Sequence, residues 1–211
     1  MISIEPKDIS PAKLQSYLQG AVAPRPIAFA STMSKSGKPN LSPFSFFNDF
    51  SSNPPILIFS PARRVRDNTV KHTLINCEAT REVVINIVNY DMVQQMSLSS
   101  TEYPEGMNEF LKSGLTQIPS DIVKPYRVAE SPVQFECKVN EIIALGKEGV
   151  AGNLIICEVV KITSKRMFLT KTETSIPKKS IWFPEWEPIG ILGQKWDCLK
   201  LKNPCRPWEL E

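Results

Sequence analysis

Apolar positions in this chain come in short runs, each broken within a few residues by proline, glycine or asparagine, and the spacing inside each run sets the expected element. Leu14, Tyr17 and Leu18 share one face of a helix that Ser10 can cap and Pro11 can begin. Pro24-Arg25-Pro26 stops it. Residues 27–33 read as a strand, and the Gly, Pro and Asn of residues 34–40 as the turn of a hairpin. A strand is expected at 56–59, started by Pro54-Pro55. A helix is expected from a cap at Asp67, Asn68 or Thr69 through Ala79, with Val70, Leu74 and Cys77 or Glu78 at helical spacing. Residues 83–88 (VVINIV) form a strand, 91–98 a helix with Met92, Val93 and Met96 inward, and 101–127 a mixed, proline-marked stretch. Residues 133–145 and 154–162 predict two long strands around the turn GKEGVAGN, and 167–180 a weaker strand and loop.

Strands outnumber helices, β-branched residues crowd them, and the regular βαβα alternation of a doubly wound sheet is missing. The expected fold is therefore mainly β: a small closed barrel with helices packed outside. From about Trp182 the chain turns irregular and aromatic, with Trp182, Trp186, Trp196 and Trp208.

One stretch fits neither core nor loop. Residues 40–55, NLSPFSFFNDFSSNPP, interleave Phe44, Phe46, Phe47 and Phe50 with serines and asparagines. A core strand has no use for so many hydroxyls and amides, and a surface loop none for four phenylalanines. Such a mixture suits the edge and faces of a flat aromatic ligand with a polar rim.

Composition narrows the picture by exclusion. A length of 211 residues suits one domain, expected over 1–197 with a tail at 198–211. The net charge of +3 is spread thinly apart from Arg63, Arg64 and Arg66, so no basic face points to nucleic acid. No apolar run approaches the roughly 20 residues that span a bilayer. The opening MISIEPKDIS has neither the basic nor the apolar region of a signal peptide, so a cytoplasmic location is expected. Five cysteines with no CxxC argue against a disulfide framework, although Cys198 and Cys205 lie close enough in sequence to pair. GxGxxG, P-loop and GxSxG motifs are absent, and the single histidine, His72, rules out a multi-histidine metal site. On a helix His72 and Cys77 are separated by about 140° of twist and do not form a pair. If the chain is an enzyme, a cofactor carries the reaction.

Three stretches together, PRPIAFAST (24–32), residues 40–55 and KHTLIN (71–76), resemble the flavin reductase-like family of FMN-binding split barrels, which includes the flavoredoxins. The stretches at 123–139 and EPIGILGQKW (187–196) are similar to its middle strand and closing segment, so the likeness runs over about residues 10–197. It implies a six-stranded antiparallel Greek-key barrel, a homodimer, and non-covalent FMN near the subunit interface. It also implies NADH or NADPH as donor, or a redox partner protein. Carried over residue by residue, the flavin ring would meet Ser31, Thr32, Asn40, Ser42, Pro43, Phe44, Ser45, Phe46, Phe47 and Asn48, and its phosphate Arg63, Arg64, Lys71 and Thr73. The residues themselves agree: hydroxyls, amides and backbone N–H groups can meet a polar rim, and cations at a helix start can meet a phosphate. The chain departs from the family pattern at Lys71-His72-Thr73, where Lys-Asp-Thr is usual, and at Ile191, where an arginine usually precedes Leu-Gly.

The expected activity is hydride transfer from a nicotinamide to flavin N5, with the protein orienting the reactants and excluding water rather than doing acid–base work. Two other readings stay open: an FMN electron carrier reduced by a partner protein, and a non-enzymatic relative whose pocket takes a different ligand.

Overall fold

The structure is a computed structural model that describes residues 1–104 and 106–165. The expectations for 167–180, the closing segment 187–196, the four tryptophans, Cys198 with Cys205, and the 197/198 boundary lie outside the described residues.

The chain begins with a 3₁₀ turn at Pro6–Asp8 and helix α1, Pro11–Ala21. Ser10 caps α1 as expected, its hydroxyl accepting from the Lys13 N–H at 3.3 Å. Strands β1 (Ala28–Met33) and β2 (Pro39–Phe44) form the expected hairpin, followed by β3 (Phe47–Ser52) and β4 (Pro55–Phe59). Helix α2 (His72–Thr80) leads to β5 (Glu82–Ile87), and α3 (Val93–Ser99) and α4 (Glu109–Ser113) come next. A short ribbon of β6 (Gln117–Ile118) and β7 (Arg127–Val128) precedes the long pair β8 (Val133–Ala144) and β9 (Asn153–Ser164).

The principal sheet has the order β2-β1-β5-β8-β9-β4-β3, and every pairing in it is antiparallel. The two end strands, β2 and β3, are consecutive in the chain and separated only by Ser45 and Phe46. The sheet therefore curls until its two edges are joined covalently, yet no β2–β3 ladder closes it. This is the split barrel the fold class called for, with two corrections. The sheet has seven strands among the described residues rather than six, and it is not closed by hydrogen bonds. The added strand is β3, from the stretch that looked too polar for a strand. It can carry those polar side chains because it is an edge strand, paired only to β4 and bulged between Asp49 and Ser51.

Alternation along the strands sorts the core into two layers. Ala28 and Ala30 of β1, Phe44 of β2, Val83 and Ile85 of β5, Cys137 and Val139 of β8 and Cys157 of β9 face inward, where Leu74 and Cys77 of α2 join them. Phe44 and Phe59 pack with ring centroids 5.5 Å apart. On the opposite face Phe29 and Leu41 meet Met92, Phe110 and Leu115 around α3 and α4.

Helix α2 starts later than the sequence suggested, with Lys71 rather than Asp67, Asn68 or Thr69 at the cap position. Those three residues build a turn instead. Asp67 accepts from both the N–H and the hydroxyl of Thr69, at 3.0 and 2.7 Å, and Asn68 takes a left-handed conformation at φ 55°. The Thr69 hydrogen bonds draw the Asp67 carboxyl down to about 2, which keeps the turn's acceptor ionised.

Candidate functional site

Neighbouring strands and one helix bring part of the expected set together. On β1 and β2, Thr32 lies directly opposite Asn40. Both side chains point at α2: Asn40 Nδ2 donates to Thr73 Oγ1 at 3.2 Å, and Asn76 Nδ2 donates to Thr32 Oγ1 at 3.1 Å. Thr73 and Asn76 are three residues apart on the helix and so present one face to the sheet. All four residues are buried, so the pairs tie α2 to the barrel. Each threonine accepts in its pair and keeps its own O–H free to donate. Ser42 follows Asn40 on the same face of β2, half-buried, with Phe44 beyond it.

At the mouth of this cluster stands the start of α2. No side chain caps it, and the first N–H groups of a helix have no intrahelical partner. Lys71 is half-buried, and its ammonium lies 5.4 Å from the centre of the Phe44 ring. Burial above all, and the nearby Arg64 next, lower the Lys71 pKa, while Glu102 opposes the shift. Arg64 is anchored beside it, donating to the Val70 carbonyl at 2.6 Å and to Thr69 Oγ1 at 3.0 Å. An ammonium, a guanidinium and uncapped helix amides thus lie together at one end of α2, a donor set suited to a phosphate.

The remaining expected residues sit elsewhere. Ser31 alternates with Thr32 and points to the opposite face of β1, where its buried hydroxyl has no partner among the described residues. Pro43 likewise faces away from Asn40 and Phe44. Arg63 is directed to Asn68, donating to its side chain and its carbonyl at 2.7 Å each. Ser45, Phe46, Phe47 and Asn48 line a separate, mostly apolar groove of about 330 Å³ between β3 and the end of α1, with Val22, Arg25 and Phe50. Phe50 is 64% exposed there. Asn48 is exposed, and its Oδ1 accepts from the Asp49 N–H at 2.9 Å.

Two partners in this region escaped the sequence reading. Asn76 was legible, since it lies three residues after Thr73 in an amphipathic helix. Glu102 was not: it reaches Arg64 and Arg66 from a loop some 36 residues downstream, with no local signal.

Among the described residues no cysteine competes for a role. Burial pushes the Cys77 thiol up to about 12 and raises Cys137 and Cys157 as well, so all three are inert core residues. Among the described residues no group of three or more His, Cys, Asp or Glu side chains could hold a metal ion, and no helix is long and apolar enough to cross a membrane.

Residues 21–171 match the profile of the flavin reductase like domain. The chain belongs to this family. The match covers the barrel and both halves of the α2 cluster, and the family implies a flavin as cofactor. An uncharacterized protein of Aquifex aeolicus is 34% identical over 184 residues, covering 87% of this chain and 88% of that one. One from Halalkalibacterium halodurans is 37% identical over 161 residues, covering 75% and 77%. Among solved structures, component B of nitrilotriacetate monooxygenase from Bacillus cereus superposes with a TM-score of 0.76 at 28% identity, covering 81% of this chain and 85% of that chain. The flavoredoxin of Desulfovibrio vulgaris superposes with a TM-score of 0.59 at 20% identity, covering 71% and 75%, a likeness of fold alone.

Lys71 and Arg64 supply positive charge beside the uncapped start of α2, and the sheet behind them offers Phe44 as an apolar surface, a combination that fits an anionic group on an aromatic cofactor.

Proposed function

We propose that this protein binds FMN non-covalently and is an NAD(P)H-dependent flavin oxidoreductase. The observation that carries the proposal is the uncapped start of α2 with Lys71 and Arg64 beside it, on a barrel of the flavin reductase like family. The phosphate end is assigned to Lys71, Thr73, Arg64 and the α2 amides, with Asn40 and Ser42 behind them. The ring side is assigned to the groove at the β2–β3 junction lined by Ser45 to Asn48; Phe44, which lies under Lys71 and packs on the groove's Phe59, joins it to the phosphate end. Bound there, FMN would supply the hydride-accepting centre, which accounts for a fold without an acid–base pair.

The chain's own residues bind and orient. Lys71 and Arg64 neutralise the phosphate, and Lys71 is already partly desolvated over Phe44, so little hydration remains to be lost on binding. The Thr32–Asn76 and Asn40–Thr73 pairs hold α2 at a fixed height over the sheet, which keeps the phosphate donors in register with the ring side. The same reading takes the protein as a cytoplasmic homodimer with NADH or NADPH as donor.

The test is an absorbance spectrum of the purified protein with FMN, before and after anaerobic NADH or NADPH. Flavin bands that bleach rapidly support the reductase, and the faster donor gives the nucleotide preference. Bands that persist with either donor would favour a carrier reduced by a protein partner. Absence of flavin bands after incubation with FMN would contradict the proposal.

A further inference from the structure

The cations at the start of α2 do not stand alone. Glu102, from the loop after α3, places Oε1 against Arg64 Nε and 3.7 Å from Arg66 NH2. The same Arg66 nitrogen lies 3.3 Å from Asp67 Oδ2. Lys71 feels both the Arg64 charge and the opposing Glu102 charge. Arg64 is the most enclosed of these groups, its side chain 20% exposed against 50% for Glu102. Arg64 is also fixed independently of Glu102, through the Val70 carbonyl and Thr69 Oγ1. The acid is therefore not needed to position the guanidinium. It delivers a carboxylate to the Nε of a cation whose Nη1 is already held by Thr69 and Val70.

We infer that Glu102 is an internal counter-anion that competes with the cofactor phosphate for Arg64 and Lys71, and so sets how tightly the flavin nucleotide is held. The inference rests on the α2 end being the phosphate end. Two cations, Arg64 and Lys71, would meet a phosphate that carries close to two charges at neutral pH. With Glu102 in place, part of that positive charge is already neutralised. A nucleotide then binds by displacing the carboxylate, which swings out with its loop into solvent at small cost, being half exposed. A cofactor lacking phosphate gains nothing from the displacement. The carboxylate thus weakens FMN selectively and leaves the ring side untouched, which would make the flavin exchangeable rather than permanent.

The experiment compares the native chain with Glu102→Gln, a substitution that keeps the shape and removes the charge. FMN and riboflavin are titrated into each by flavin fluorescence, and inorganic phosphate is titrated while the melting temperature is followed. Glu102→Gln should bind FMN roughly three- to fivefold tighter at low salt, with riboflavin unchanged, and the gain should shrink as salt is raised. The variant should also show a larger phosphate-induced rise in melting temperature. Unchanged FMN affinity, an equal change for FMN and riboflavin, or weaker FMN binding would overturn the inference. The last result would make Glu102 a positioning residue for Arg64. If the native chain binds no FMN, the flavin reading fails on its own. The phosphate arm then still decides whether Glu102 screens an anion site, since an identical phosphate response in both proteins refutes it.

Discussion

Two loops of this molecule bring charge to backbone N–H groups, and they do it in opposite ways. In the loop between β6 and β7, the protein supplies its own anion. Glu136 of β8, fully buried, accepts from the N–H groups of Asp121 at 3.1 Å, Ile122 at 2.7 Å and Val123 at 3.2 Å, and Arg127 Nε stands 4.0 Å away. Donors and acceptor are matched, so the charge is bound up in structure. At the start of α2 the first helix amides have no side-chain cap, the cations Lys71 and Arg64 stand beside them, and the carboxylate on Arg64 is the half-exposed Glu102. A satisfied nest fastens a loop; an uncapped helix start with cations beside it keeps donors available for an anion, as the proposed function requires. The comparison separates structural charge from candidate binding charge without appeal to any motif.

The largest expected effect lies in the satisfied nest. Glu136→Ala leaves three amides without their acceptor and should lower stability by roughly 3 kcal/mol in urea unfolding. The ratio of FMN to riboflavin affinity should stay where it was. If stability barely changes, the nest is not structural and the contrast collapses. A smaller effect is expected behind the binding end. Asn76→Ala removes the donor to Thr32 and should cost about 1 kcal/mol. It should also loosen FMN more than riboflavin, because it removes one of the two side-chain ties that hold α2 to the sheet.

The smallest effect is one of pH. Lys71 has a pKa below its usual 10.5 because of burial first and Arg64 second. Without ligand, the unfolded chain holds that proton to higher pH than the folded one, so this group makes stability rise with pH between the two values. A phosphate favours the ammonium and reverses the preference. FMN affinity should therefore fall as pH rises through the lowered pKa, with riboflavin affinity flat over the same range. A parallel decline for both flavins would mean that Lys71 does not face the phosphate.

The sequence carried much of this, and where it failed the reasons are physical. The β1–β2 hairpin, the α1 cap and the β8–β9 pair follow from local spacing and turn residues, which act over a few positions. Strand β3 was missed because its polar side chains are tolerated only at an edge, and edge status depends on the whole sheet order. The late start of α2 was missed because Asp67 satisfies Thr69 in a turn of its own and so cannot cap the helix. Thr32, Asn40, Lys71 and Thr73 were legible as types; the register of β1 on β2 sets Thr32 opposite Asn40, and the packing of α2 on that pair brings in Thr73. Ser31 shows the limit of reading neighbours together: one step along a strand carries a side chain to the other face. Glu102 and Glu136 act across long sequence separations, where composition and periodicity hold no trace.

The central claim is that the start of α2 receives the phosphate of a flavin nucleotide. The most direct measurement is a parallel titration of FMN and riboflavin into the native chain and into Lys71→Ala. The account predicts that the native chain prefers FMN, and that Lys71→Ala weakens FMN by about tenfold while riboflavin hardly changes. Equal affinity of the native chain for the two flavins, or an equal loss of both in the variant, would contradict it.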